Sequence, residues 1–179
     1  MKLTHLPSEF QEALRINRRV RGDSHPEVGQ TLENIANSYA DLGETGNARK
    51  AFEESLRVRT VALGPDHPDV GGTAYDLATL VADANDFPAA IRYGRRALDI
   101  YRHAYPREHP DIALVLNMLG YWELRVGQLE VADQHLSEAL GMRAHLVGDQ
   151  DPSYGSSLLT LGSLRIQQQR FSEALLLAQ

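Results

Sequence analysis

The sequence predicts an all-α fold, an α-solenoid of stacked antiparallel helix pairs. Three observations predict it. The first is a repeat: His25-Pro26, His67-Pro68 and His109-Pro110 are spaced by 42 residues, and a further step of 42 lands on Asp151-Pro152. With proline at about 5% of residues, three further hits behind a given proline have odds of about one in ten thousand. The second is a set of columns at the same period. Ala36, Ala78, Gly120 and Gly162 are all small; Ala48, Ala90, Ala132 and Ala174 are all alanine; Leu14, Leu56, Leu98 and Leu140 are all leucine; Ala13, Ser55, Ala97 and Ala139 are again small. The third is helical periodicity within a unit. Val28, Leu32, Ile35, Ala36 and Tyr39 follow one helical face, and after Gly43 so do Ala48, Ala51, Phe52, Ser55, Leu56, Arg59 and Ala62.

Taken in order, residues 1–24 hold a partial repeat with helix B only. Phe10, Ala13, Leu14 and Ile16 there match Phe52, Ser55, Leu56 and Val58. Repeats 1, 2 and 3 span 25–66, 67–108 and 109–150, and a truncated repeat 4 spans 151–179. Each full unit reads as a helix A of about 16 residues, a short turn and a helix B of about 18. Proline suits the first turn of a helix, where its missing N–H is not needed, and it biases the residue before it away from the α region. His25, His67, His109 and Asp151 are therefore expected at N-caps. Gly64-Pro65-Asp66 stops one helix B before the next His-Pro. The small columns let the helices of a pair approach closely, where a leucine would push them apart. No single hairpin buries its apolar faces, so neighbouring pairs must stack. Neither end carries a polar cap, and Phe171 to Leu177 reads as an apolar half-helix with no successor. The expectation is a fragment of a longer repeat protein; the alternative is a whole protein that buries its ends in an oligomer.

Composition narrows the function. The 179 residues are 42% hydrophobic and 23% charged, with a net charge of −6 and no cysteine. This excludes a disulfide framework, a thiolate zinc site and a cysteine nucleophile. The longest apolar runs, such as Ile112 to Leu116 and Ala174 to Ala178, are far short of the roughly 20 residues of a membrane helix. The first ten residues lack a secretory signal. A cytoplasmic protein without a membrane partner is expected. The three full units carry net charges of −3, −1 and −4. Basic clusters at Arg15, Arg18, Arg19 and Arg21, and at Arg92, Arg95 and Arg96, do not continue into neighbouring units, so no nucleic-acid stripe is expected. The repeat-spaced histidines sit on equivalent corners, too far apart to share a metal; His103, His135 and His145 read as surface residues. No Gly-x-Ser-x-Gly, His-Glu-x-x-His or phosphate loop is present. No catalytic residue, metal or cofactor is expected, and the chain is not read as an enzyme.

Two helices per unit, a small residue inside helix A and alanines in helix B resemble tetratricopeptide repeats. The 42-residue period, with strings such as Leu63-Gly64-Pro65-Asp66-His67-Pro68-Asp69-Val70 and Leu32-Glu33-Asn34-Ile35-Ala36-Asn37-Ser38-Tyr39, is similar to the kinesin-light-chain type over residues 8 to 179. The resemblance implies a right-handed superhelix in which helix A lines a concave groove. That family's Leu-Asn-Asn-Leu-Ala survives only in fragments, at Glu33-Asn34, Tyr75-Asp76, Asn117-Met118 and Leu159-Thr160, so motor-adaptor function is not carried over.

Helix A positions that vary between units, over packing columns that do not, are the candidate recognition face. One column is Glu33, Tyr75, Asn117 and Leu159; the next is Asn37, Thr79, Tyr121 and Ser163; a third is Asp41, Asp83, Arg125 and Gln167. Asparagine amides pair with both the donor and the acceptor of a peptide backbone. Tyrosines offer apolar area with a polar tip. A protein or peptide ligand with a basic part and an apolar anchor is expected. Self-association through the exposed ends, and a regulatory or sensing arm of a larger multidomain enzyme, are the alternatives. Trp122, in the column of Ser38, Leu80 and Leu164, is read as a packing residue.

Overall fold

The computed structural model describes residues 8–177, so the expectations for residues 1–7 and for the final two residues lie outside it. Among the described residues, helices follow one another with no strand: α1 (Ser8–Arg21), α2 (Pro26–Asp41), α3 (Thr45–Leu63), α4 (Pro68–Asp83), α5 (Phe87–Ala104), α6 (Pro110–Arg125), α7 (Leu129–Leu146), α8 (Pro152–Gln167) and α9 (Phe171–Leu176). The helices A are α2, α4, α6 and α8. Each packs on the helix B that follows it, and each helix B packs on the next helix A. The expected stack of helix pairs is what the chain forms.

All four helices A start at the repeated proline. The Nδ1 atoms of His25, His67 and His109 accept the backbone N–H two residues on, each at 3.2 Å, and Asp151 Oδ1 does the same at 2.8 Å. A neutral imidazole provides that acceptor, so the repeated histidines close helix ends.

Turns follow the same period. Gly43, Asn85, Gly127 and Gln169 adopt φ of +73°, +62°, +80° and +61° at the A-to-B turn, a region free for glycine, tolerable for asparagine and costly for glutamine. At the B-to-A turn, Gly64 and Gly148 have φ of +93° and +81°, but Pro106 stands at that place in repeat 2. Proline holds φ near −65°, so the turn takes another course. There α5 ends on an extended Tyr105, whose ring stacks on His109 with centroids 3.6 Å apart.

The core runs the length of the stack along the small columns. Ala36, Ala78, Ala48, Ala90 and Ala132 are fully buried. Volumes compensate where a column changes. Gly94 replaces the Phe52 and Leu136 of its column, and Trp122 fills the space from α6: a Cβ on Gly94 would stand 2.8 Å from its ring. Trp122 is 1% exposed, the packing role its column predicts. Fully buried Glu123 in α6 accepts from Arg95 of α5 at 2.9 Å and lies 2.7 Å from His135 Nδ1 of α7, tying three helices together.

Candidate functional site

The helix A faces of α2 and α4 enclose a hollow of about 220 Å³ lined by Asn37, Ala40, Phe52, Tyr75, Asp76, Thr79, Leu80 and Asp83. Four of the expected recognition residues, Asn37, Tyr75, Thr79 and Asp83, meet there because i and i+4 positions share one helix face and the two helices A stand side by side. The floor is apolar, from Ala40, Phe52 and Leu80, and the rim is polar. The Thr79 hydroxyl donates to the Tyr75 carbonyl at 3.2 Å, and half-buried Tyr75 has its phenol pushed up, chiefly by burial.

The other expected residues go elsewhere. Tyr121 and Arg125 form their own cluster on α6: Arg125 donates to the Tyr121 hydroxyl at 2.8 Å and lies 4.7 Å from the centroid of Phe87. Leu159 and Ser163 lie together on α8, Leu159 76% exposed and the Ser163 hydroxyl donating to the Leu159 carbonyl. Glu33 and Asn117 differ from the free groove residues expected of their column. Glu33 accepts Arg59 at 2.7 Å and the Thr73 hydroxyl at 2.9 Å. Asn117 is only 5% exposed and accepts the Ser157 hydroxyl at 2.9 Å. The reason is the same for both: the next helix A packs over them and brings a hydroxyl.

That hydroxyl belongs to a polar relay which the groove columns did not disclose. Asn17, Arg59, Tyr101 and Arg143 occupy one helix B column, and opposite them Thr31, Thr73, Val115 and Ser157 occupy one helix A column. Asn17 donates to Thr31 at 2.9 Å, Arg59 to Thr73 at 2.9 Å, and Arg143 to Ser157 at 2.8 Å. Arg59 also donates to Gln30 at 2.6 Å and to the Asp69 carbonyl at 3.1 Å, and Arg143 donates to the Ser153 carbonyl. The signal was available in the sequence. Arginine recurs in this helix B column at Arg59 and Arg143, and a Cβ on Gly29 would stand 2.6 Å from Arg59 Cγ.

Between repeats 2 and 3 the relay is broken by Tyr101 and Val115, and a second cavity opens there. It has about 310 Å³ and is lined by Gln30, Glu33, Arg59, Pro68, Asp69, Gly72, Asp76, Tyr101, Tyr105 and Asp111. Asp76 lines both hollows. Among the described residues no hydrogen bond or ion pair reaches its carboxylate. Burial, then the neighbouring charge of Glu33, pushes that carboxyl up to about 6, with Arg59 pulling the other way. Tyr101 is 7% exposed, and burial pushes its phenol up as well.

The basic clusters are engaged locally. Arg15 pairs with Glu12 at 2.5 Å, Arg18 with Glu54 at 2.5 Å and Arg21 with Glu27 at 3.0 Å. Arg95 reaches Glu123, Arg96 donates to the Thr60 hydroxyl, and Arg92 lies over Tyr93. Among the described residues no helix is long and apolar enough to cross a membrane.

Comparison with known proteins agrees with this architecture. No curated protein matches the sequence. Among solved structures, BtubC (BKLC) from P. vanneervenii is 21% identical and superposes with a TM-score of 0.85 over 95% of this chain and 68% of that one. A kinesin light chain-type protein of Podosopora anserina with nearly identical TPR-like repeats is 18% identical, with a TM-score of 0.81 over 96% and 81%. The apo form of RapI is 17% identical, with a TM-score of 0.82 over 95% and 59%. At these identities the likeness is one of fold. The tetratricopeptide repeat model, however, matches residues 8–60 and 27–103, more than half of the sequence. The chain belongs to the tetratricopeptide repeat family, with repeats of the kinesin-light-chain-like type.

Proposed function

We propose that this chain is a non-catalytic scaffold whose helix A face holds an extended peptide segment of a protein partner. Tetratricopeptide repeat proteins are in general protein-interaction scaffolds. The observation that carries the reading here is the hollow between α2 and α4, where Asn37, Tyr75, Thr79 and Asp83 ring an apolar floor. An amide, two hydroxyls and a carboxylate over Phe52 and Leu80 match a peptide backbone with an apolar side chain pointing down. The test is panning of phage-displayed random nonapeptides against the chain and its Asn37→Ala/Thr79→Ala variant. Circular dichroism checks that both are equally helical. Peptides enriched on the parent and lost on the variant support the groove. Equal enrichment on both removes the groove from the reading.

A second reading, assembly through the far end of the stack, is favoured by the exposed side chains of Leu159, Phe171, Leu175 and Leu176. It predicts a concentration-dependent mass in sedimentation that falls in Leu175→Ser/Leu176→Ser.

A further inference from the structure

We infer that the cavity beneath Tyr101 is a receptor for an arginine side chain, supplied by the peptide that occupies the adjoining groove. The inference rests on the groove reading for the peptide and on the broken relay for the arginine.

The chain itself shows what the site is shaped for. In repeats 1 and 3 the relay column carries Arg59 and Arg143, both buried. Arg59 is held by Glu33, Gln30, Thr73 and the Asp69 carbonyl. One repeat later, the equivalents of Gln30 and Asp69 are Gly72 and Asp111, and both line the cavity. The counterparts of Glu33 and Thr73 are Tyr75 and Val115, which bring no carboxylate, so the hollow adjoins the place of a guanidinium from position 101 and takes its charge from Asp76. Position 101 carries tyrosine instead, which brings no charge.

Two polar groups are left waiting. Tyr101 is only 7% exposed, and among the described residues its hydroxyl makes no hydrogen bond and keeps part of its small accessible surface. That hydroxyl lies over Gly72, 3.6 Å from where a Cβ would stand, in the cavity wall. The Asp76 carboxylate faces the same space without an ion pair. Glu33, Asp69, Asp76 and Asp111 set four carboxylates against the single guanidinium of Arg59, which Glu33 already engages. An incoming arginine meets a carboxylate and a hydroxyl acceptor in a partly desolvated space, where charge-assisted hydrogen bonds are strong. The other donors in the wall are engaged, Arg59 with Glu33 and Gln30, the Gln30 amide with Asn34 and the Tyr105 hydroxyl with Asp111, so an acidic or neutral side chain meets only the Tyr101 hydroxyl as an uncommitted donor. Because Asp76 also lines the groove hollow, one extended peptide spans both.

The experiment starts from nonapeptides enriched by panning, synthesised with each arginine either kept or replaced by citrulline, its neutral isostere. Binding is read by fluorescence anisotropy. The enriched set is expected to share an arginine at a fixed distance from an apolar residue. Its replacement by citrulline weakens binding about 10–100-fold, as expected for a charge-assisted pair. Asp76→Asn weakens the arginine peptide by a similar factor and leaves the citrulline peptide unchanged. Tyr101→Arg, which restores the residue of repeats 1 and 3, fills the site from within and abolishes the arginine preference. Melting curves of both variants check folding. Enriched peptides without a basic residue overturn the arginine assignment while leaving the groove standing, as does equal binding of arginine and citrulline forms to Asp76→Asn and parent. Failure of any peptide to enrich overturns both.

Discussion

Replacing Gly120 with alanine sets two opposed effects against each other within one helix. Alanine is favoured over glycine in a helix interior by about 1 kcal/mol. The added Cβ, however, would stand 2.4 Å from Leu136 Cγ, 2.7 Å from Cδ2 and 3.2 Å from the Ala132 carbonyl oxygen. Carbon atoms in contact sit about 3.5–4.0 Å apart, so Leu136 must retreat by roughly 1 Å. It is fully buried between α6 and α7 and has nowhere to swing. Overpacking of this kind costs about 1–3 kcal/mol, which leaves Gly120→Ala less stable by about 1 kcal/mol after the propensity gain. Gly141 in α7 provides the control. It is exposed, and no described atom lies within 4 Å of its Cβ position, so Gly141→Ala keeps the full gain of about 1 kcal/mol. The two variants should therefore differ by about 2 kcal/mol. In a chain of this size that separates their melting temperatures by about 4–8 °C. Thermal melts by circular dichroism measure it. A double-mutant cycle with Leu136→Ala should show coupling of about 1 kcal/mol, because the shortened side chain makes room for the methyl. If Gly120→Ala melts above the parent as Gly141→Ala does, or if the cycle shows no coupling, the small column does not set the approach of the helices of a pair.

Four further outcomes follow from the relay, the carboxylates and the turns. Arg59→Met leaves Glu33 and Thr73 in a largely closed site without their cation and should lose about 3 kcal/mol in urea unfolding; adding Glu33→Gln should recover part of it. Asp76 carries the opposite sign. Its carboxyl is raised to about 6 from 3.8, so the folded chain holds a proton that the unfolded chain releases. Stability from this group is complete below about pH 4 and is lost as pH rises to about 6. Asp76→Asn should therefore melt above the parent at pH 7 and with it at pH 4, as differential scanning calorimetry can read. Asp133 runs the other way: its bond to Arg165 holds the carboxyl below its usual range, and that stability disappears only in stronger acid. Gln169→Gly relieves a φ of +61° and should gain about 1 kcal/mol, seen as a later unfolding of the α8–α9 end.

The fold was legible because every unit solves the same problem with the same atoms. A proline that starts a helix, a side chain that caps it, and a small residue where two helices touch leave residue types at fixed intervals, and the period adds their signals together. Trp122 was legible for a related reason, since two of the three other residues in its column, Leu80 and Leu164, are leucines. Glu33 and Asn117 were not. Their column varied, and variation was read as exposure, whereas the polar partners that bury them, Thr73 and Ser157, come from the next helix A at a separation of 40 residues. A single helix face carries no information about what the following pair brings to it.

The cavity escaped for a deeper reason. It exists where the repeat fails, and a search for periodicity discards failures. Tyr101 breaks a column of long polar residues, Val115 removes the hydroxyl opposite, Gly72 stands where Gln30 would reach across, and Pro106 diverts the turn that brings Tyr105 onto His109. Each change alone is a tolerated substitution. Together they remove a buried guanidinium, while Asp76, where the neighbouring repeats carry Asn34 and Met118, adds a carboxylate. A stack that needed only to be stable had the arginine solution at hand in its own neighbouring repeats. Asp76, its charge only partly offset by Arg59, lowers stability at neutral pH, and that cost is of the kind the proposed recognition site would carry. The scaffold is therefore to be read from what repeats, and the ligand from what does not.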